Sequence, residues 1–168
     1  MLRPSLLCLA LASLLASNAS AQEIPPPRDV AYPGTIRLEV DATNLAQRIF
    51  HVKQTIPVQA GPFTLLYPMW VPGGHSPKNS LDKIAGITFK ANGRKLDWKR
   101  DTLDVAAFHI DVPAGVTEIT AEFDFLTPTS GSQGRVVMTP NMLNLQFLSA
   151  ALYPAGYYTH QIMFDAHV

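Results

Sequence analysis

The sequence predicts an all-β fold: one domain, an antiparallel twisted sheet or sandwich with little helix. Three observations carry this. Short segments alternate apolar and polar residues at a period of two. Turn residues punctuate them at regular spacing, the pattern of a sheet with one buried face. Fourteen prolines in 168 residues argue against long helices.

Residues 1–21 stand apart. Arg3 gives a positive start, residues 6–16 are an apolar run of eleven, and Ala19-Ser20-Ala21 is a small-residue cleavage pattern. Together they predict a secretory signal peptide cut near Ala21-Gln22, and hence a periplasmic or secreted product. The run is too short to span a bilayer comfortably, and no later run is longer or more apolar. The product would be residues 22–168, 147 residues, enough for one core. The only cysteine, Cys8, leaves with the signal, which excludes a disulfide framework, a thiol nucleophile and a cysteine-ligated metal. Of 13 Lys+Arg, removing Arg3 leaves 12 against 13 Asp+Glu. That near-neutral balance, without a basic patch, offers nothing to nucleic acid or to an anionic membrane surface.

Residues 22–33 hold Pro25-Pro26-Pro27 and predict an extended lead-in; the β domain takes up 34–168. In Thr35–Asp41, Ile36, Leu38 and Val40 fall on one face and Arg37, Glu39 and Asp41 on the other. Residues 49–56 repeat the pattern, with Phe50, Val52 and Ile56 inward and His51, Lys53 and Thr55 in solvent. Residues 63–67 are apolar on both faces, as in a strand covered on both sides. Residues 81–85 fit a helical turn or an edge. Residues 86–91 alternate again and run into Asn92-Gly93, the pair a tight hairpin favours because both positions need positive φ. The return strand is 94–99. Residues 102–112 form the next strand, with Ala106, Phe108, Ile110 and Val112 inward and His109 opposite; Pro113-Ala114-Gly115 turns the chain. In residues 117–126, Ile119, Ala121, Phe123 and Phe125 point inward. Residues 127–134 are a polar loop. Residues 135–138 are extended, 142–151 fit strand or helix, and residues 153–158 make a second aromatic Tyr-Pro corner before a last strand over 158–165.

The most distinctive stretch is 67–79, Tyr-Pro-Met-Trp-Val-Pro-Gly-Gly-His-Ser-Pro-Lys-Asn. Pro68, Pro72 and Pro77 remove ladder donors, and Gly73-Gly74 opens conformations other residues avoid. A shaped loop leaving a buried strand is where binding residues tend to sit. Its candidate residues are Trp70, Pro72, Gly73, His75, Ser76 and Asn79. Elsewhere catalytic patterns are missing. There is no His-Glu-x-x-His pair, no Gly-x-Ser-x-Gly elbow and no phosphate-cradling glycine loop. The five histidines lack helix-turn metal spacing, and Asp101 and Asp104 beside Lys99 and Arg100 fit a solvated charge cluster.

Several blocks together resemble the glycyl aminopeptidase family of PDZ-containing zinc metallopeptidases. Residues 67–77 are similar to its Tyr-Pro-x-Trp-x-Pro-Gly-x-His-x-Pro signature. Trp98-Lys99-Arg100-Asp101, residues 108–115 and residues 152–157 are similar, in order, to further blocks of its N-terminal domain. The resemblance implies a non-catalytic β domain of a larger exported aminopeptidase, a protease releasing N-terminal residues, notably glycine. Zinc, the HExxH motif and the catalytic Glu are expected in a downstream domain, followed by a PDZ domain. No position here matches those ligands, so catalytic residues, metal ligands and cofactors are expected to be none in this chain, which should be inactive alone. The implied partners are its own catalytic and PDZ domains and a peptide substrate, with no nucleic acid and no membrane after signal cleavage. Relatives continue beyond the position of Val168, which implies a chain truncated at its C-terminal end. By the same resemblance, Trp70 would pack and His75 or Asn79 would offer hydrogen bonds where the loop walls a substrate cleft or braces the catalytic domain. The alternative is a stand-alone exported β-sandwich binding a peptide or glycan through residues 70–79.

Overall fold

The computed structural model describes residues 22–129 and 135–168; the predicted signal peptide and part of the predicted polar loop lie outside them. Within them the fold is nearly all β. The strands are β1 Thr35–Asp41, β2 Ile49–Pro57, β3 Gly61–Leu66, β4 Ile84–Ala91, β5 Arg94–Leu96, β6 Trp98–Arg100, β7 Ala107–Val112, β8 Glu118–Leu126, β9 Val137–Thr139, β10 Met142–Asn144, β11 Tyr153–Pro154 and β12 Met163–His167. Only 3-10 turns interrupt them, at Leu81–Lys83, Phe147–Ser149 and Thr159–Gln161.

Two sheets result. One has the order β12-β1-β2-β8-β4-β5, the other β11-β3-β7-β6, and β9-β10 is a separate hairpin. The period-two pattern explains the larger sheet. Ile36, Leu38, Val40, Phe50, Val52, Ile56, Ile119, Ala121, Phe123 and Phe125 are all buried on its inner face. Leu65, Phe108, Ile110 and Val112 of the smaller sheet join the same core. Phe89 of β4, Trp98 of β6 and Phe108 of β7 meet across the layers, with ring centroids 5.9 Å (Phe89–Trp98) and 5.5 Å (Trp98–Phe108) apart.

The hairpin at Asn92-Gly93 forms as predicted, with φ of 49° and 76°. Its return strand divides at Asp97. β5 stays with β4, whereas β6 pairs β7 in the other sheet, so one segment turns the corner between layers. Gly86, at φ 65°, sits where β4 slips register against β8 between Ala85 and Thr88.

Three segments differ from the sequence reading. The strand predicted from 102 begins only at Ala107. Asp101 takes the backbone N–H groups of Leu103 (2.8 Å) and Asp104 (2.9 Å) on its own carboxylate, and that turn competes with the ladder. The last strand begins at Met163 after a 3-10 turn, and β12 runs parallel to β1 in an otherwise antiparallel sheet. The third difference is a residue to which the sequence reading gave no face, a buried polar side chain among apolar ones. Gln54 lies on the inner face of β2, donates Nε2–H to Leu152 O (2.8 Å) and accepts Leu152 N–H on Oε1 (2.7 Å).

The lead-in packs along the later chain. Arg28 bridges Tyr157 in parallel, Tyr32 stacks edge-on against Tyr157 at 5.0 Å, and the Tyr32 hydroxyl donates to Pro57 O. Among the described residues no helix is long and apolar enough to cross a membrane.

Candidate functional site

The proline-rich loop leaves the end of β3 where Tyr67 is buried. Tyr67 N–H donates to Ala106 O (2.9 Å) and its hydroxyl to Ser149 O (3.3 Å); burial raises its pKa above the ordinary phenol range. Pro68 ends the ladder because it has no N–H. Met69 O then accepts the N–H groups of Lys78 (2.9 Å) and Asn79 (3.1 Å), closing the loop at its base. Inside it, Gly74 N–H donates to Val71 O (2.9 Å), and Gly73 adopts φ 77°. A Cβ on Gly74 would stand 3.0 Å from Val71 O, so the turn also needs a small residue there.

The six candidate residues divide by accessibility. Trp70 is 65 % exposed, and Pro72, Gly73 and His75 are exposed too. Among the described residues His75 makes no side-chain hydrogen bond, and none joins it to Ser76, which is half-buried. Pro72 O accepts from Arg135 Nη1 at 3.4 Å. Asn79 is committed to the fold. Its Nδ2 donates to Pro68 O (2.7 Å) and Leu148 O (3.2 Å), and its Oδ1 accepts from Ser80 N–H (3.0 Å) and Ser149 Oγ (3.3 Å). Asn79 therefore staples the loop to the Phe147–Ser149 turn, with no donor or acceptor to spare for a ligand.

Clefts open on both sides of this loop. One, of about 430 Å³, is walled by Trp70, Pro68, Pro77, Tyr153, Asp104 and Thr159. The other, of about 210 Å³, is bounded by Val71, Asn79, Leu126, Arg135 and Gln146. Leu126, which bounds the second, is an exposed apolar side chain; Phe147, next in sequence to Gln146, and Met142 and Leu143 of β10 are exposed as well. Two larger clefts lie elsewhere. One of about 470 Å³ crosses the outer face of β2 and β8, where His51 Nδ1 lies 2.6 Å from Asp124 Oδ1. The other, of about 500 Å³, follows the lead-in past Tyr32, Pro57 and Tyr157.

The expected solvated cluster at Asp101 is not what forms. Asp101 is buried, and its Oδ2 lies 2.8 Å from His109 Nε2. Thr64 Oγ1 lies 2.9 Å from the other ring nitrogen, Nδ1. The hydrogen bond from His109 is the main cause holding the Asp101 pKa at about 2, with the two turn N–H groups adding to it. Strand pairing explains the assembly, because Thr64 on β3 stands directly opposite His109 on β7. A hydroxyl, an imidazole and a carboxylate in line suggest a nucleophile triad. Thr64 is only 4 % exposed and His109 7 %, so a substrate carbonyl has no approach to the hydroxyl. This chain of bonds is a buried brace. The signal available in the sequence was the parity of β3 and β7, which puts both side chains on one face.

Among the described residues no three His, Cys, Asp or Glu side chains are placed to hold a metal ion. The described residues do not fit a zinc site.

The described residues form a two-layer β domain with an aromatic Pro/Gly loop at one end, and the Thr64–His109–Asp101 array is sealed in its core. Residues 37–168 match the family described as Peptidase M61 N-terminal domain, and the chain belongs to that family. The resemblance read from the sequence blocks is borne out at this level. In three dimensions the chain is similar to the crystal structure of an aminopeptidase N family protein from Idiomarina loihiensis. The TM-score is 0.57 and the identity 16 %, over 79 % of this chain and 22 % of that one. That likeness shows the fold, and the chain spans less than a quarter of that protein's length. No curated protein matches the chain.

Proposed function

We propose that this chain is the non-catalytic N-terminal β domain of an exported zinc-dependent aminopeptidase, where it supports a downstream catalytic domain. The observation that carries the reading is family membership over residues 37–168. The zinc, the HExxH motif and the general base of the reading lie in that downstream domain, and a PDZ domain follows it. Leu126, which lines the cleft by the loop, and Met142, Leu143 and Phe147 are exposed apolar side chains that such a domain would cover. The loop side bearing Val71 and the Asn79 staple then acts as a brace. The signal-peptide pattern of residues 1–21 supports export to the periplasm or outside the cell as part of this reading.

Intact mass and zinc content of the native exported protein test this. The expected result is a mass several times that of 147 residues with about one zinc per chain. A mass near that of residues 22–168, free of zinc, would overturn it. That outcome would favour a stand-alone domain binding a peptide or glycan through the loop, a reading that Trp70, 65 % exposed, keeps in view.

A further inference from the structure

We propose that the cleft beneath Trp70 is a binding site for the cationic side chain of a lysine or arginine presented by a peptide. Its walls carry the chemistry for that group. Trp70 and Tyr153 offer two aromatic rings, and Pro68 and Pro77 complete an apolar lining of about 430 Å³, roomy enough for one long side chain. Asp104 supplies a carboxylate at the same cleft. Aromatic faces with an adjacent carboxylate attract ammonium and guanidinium groups through the ring quadrupole and through charge.

The polar groups there keep bonding capacity free. Asp104 Oδ1 accepts the Ala106 N–H at 3.0 Å, and among the described residues the carboxylate has no ion-pair partner. Arg100, the nearest cation along the chain, is engaged elsewhere. It donates to Val105 O at 2.5 Å and lies over the Phe108 ring at 4.6 Å. The hydroxyl of Tyr153 and the indole N–H of Trp70 have no hydrogen-bond partner among the described residues. Thr159 adds a further hydroxyl to the wall. Beside Asp104, Leu103 is 89 % exposed and Val105 54 %, aliphatic surface on which the methylene stem of a lysine or arginine can lie.

The site is also built to keep its shape. Asp104 belongs to the turn that Asp101 holds by accepting the Leu103 and Asp104 N–H groups, and Asp101 is fixed in turn by His109. Tyr153 is held by pairing with Leu66 at the edge of β3. Asp104 is exposed and solvated, so a cation gains a charge pair that a neutral ligand lacks and an anion is repelled.

The test uses the chain alone, so it stands or fails independently of any downstream domain. N-acetyl-arginine amide and N-acetyl-lysine amide are titrated against N-acetyl-citrulline amide, the neutral shape analogue of the first, with Trp emission and calorimetry as readouts. The cations are expected to bind at least about tenfold more tightly than citrulline. Asp104→Asn, which keeps an acceptor for Ala106, should reduce arginine binding to the citrulline level, and Trp70→Ala should weaken all three ligands. Equal binding of arginine and citrulline amides would overturn the proposal. So would unchanged arginine affinity in a folded Asp104→Asn variant, or no saturable change with either cation.

Discussion

Replacing Gln54 tests how the two layers are held together. Its side chain is fully buried on β2, between Leu38 of β1 and Ala121 of β8, and its amide is bonded twice to the backbone of Leu152, itself fully buried. Gln54→Leu keeps the volume and removes both bonds. The Leu152 N–H and C=O are then orphaned where water cannot reach. Each unsatisfied buried group costs about 1–3 kcal/mol, so the pair costs roughly 2–6 kcal/mol. Burying leucine in place of an amide recovers about 1–2 kcal/mol of this, on the scale of apolar side-chain burial. Taking the middle of each range, the net expectation is a loss of about 2.5 kcal/mol. With a urea m-value of about 2 kcal/mol/M, the unfolding midpoint should fall by roughly 1 M with no change in m.

Gln54→Glu sharpens the test. A carboxylate can accept the Leu152 N–H, but its second oxygen would face the Leu152 carbonyl, 2.8 Å from the present Nε2. Protonated, it donates there as the amide does. Burial and that carbonyl raise its folded pKa above the unfolded value of about 4.3. A raised folded pKa gives stability that is present below the unfolded pKa and lost as pH rises through the folded one. The Gln54→Glu variant should therefore lose more stability than Gln54→Leu at pH 7 and regain part of it toward pH 4. A Gln54→Leu protein within about 0.5 kcal/mol of the parent, at equal m, would refute the clasp.

The remaining expectations are simpler. Asp101 has a folded pKa of about 2 against an ordinary value of 3.8, so its contribution is present above pH 4 and fades as pH falls toward 2. Acid titration followed by circular dichroism should show that loss, and Asp101→Asn should flatten it. Asn79→Ala removes four hydrogen bonds at the loop base, so limited proteolysis should cut within residues 70–78 several-fold faster while the core strands stay protected in hydrogen exchange. Gly93→Ala forces a side chain into φ 76° with nothing crowding it, so thermal unfolding should report a loss of about 1–2 kcal/mol from backbone strain alone.

The sequence shows its sheet through parity. Where one face is apolar and the other charged, as in β1 and β8, the strand and its buried face both follow from the residues. Asn92-Gly93 likewise declares its turn. The period of two that turns Val52 and Ile56 inward applies to Gln54 as well, but a polar residue gives no apolar signal, and its partner Leu152 lies 98 residues away. Asp101 was misread for the same reason. Its neighbours Lys99 and Arg100 suggest solvent, and only the pairing of β6 and β7 brings it to His109. The loop was legible as a shape and only partly as a site. Trp70 and His75 do stand open, but nothing local in the sequence says that Asn79 spends every polar atom on Pro68, Leu148, Ser149 and Ser80.

Those buried and half-buried polar contacts share a geometry. Each lies where a segment leaves the regular ladders: Gln54 fixes Leu152 just before the Tyr153 corner, Asn79 closes the Trp70 loop, and Asp101 with His109 and Thr64 fixes the turn that carries Asp104. An apolar core alone would pack these segments without dictating their position, because dispersion and burial are not directional. Hydrogen bonds that must be satisfied in a dry interior are directional, and leaving one unmade is costly. The segments that these contacts fix each supply a wall residue to one cleft: Trp70, Asp104 and Tyr153. Loss of the Asp101–His109 bond should consequently be felt at the cleft as well as in the core. In His109→Leu, amide hydrogen exchange at Leu103 and Asp104 should accelerate more than at β2, whereas uniform acceleration would mean that the brace serves global stability alone.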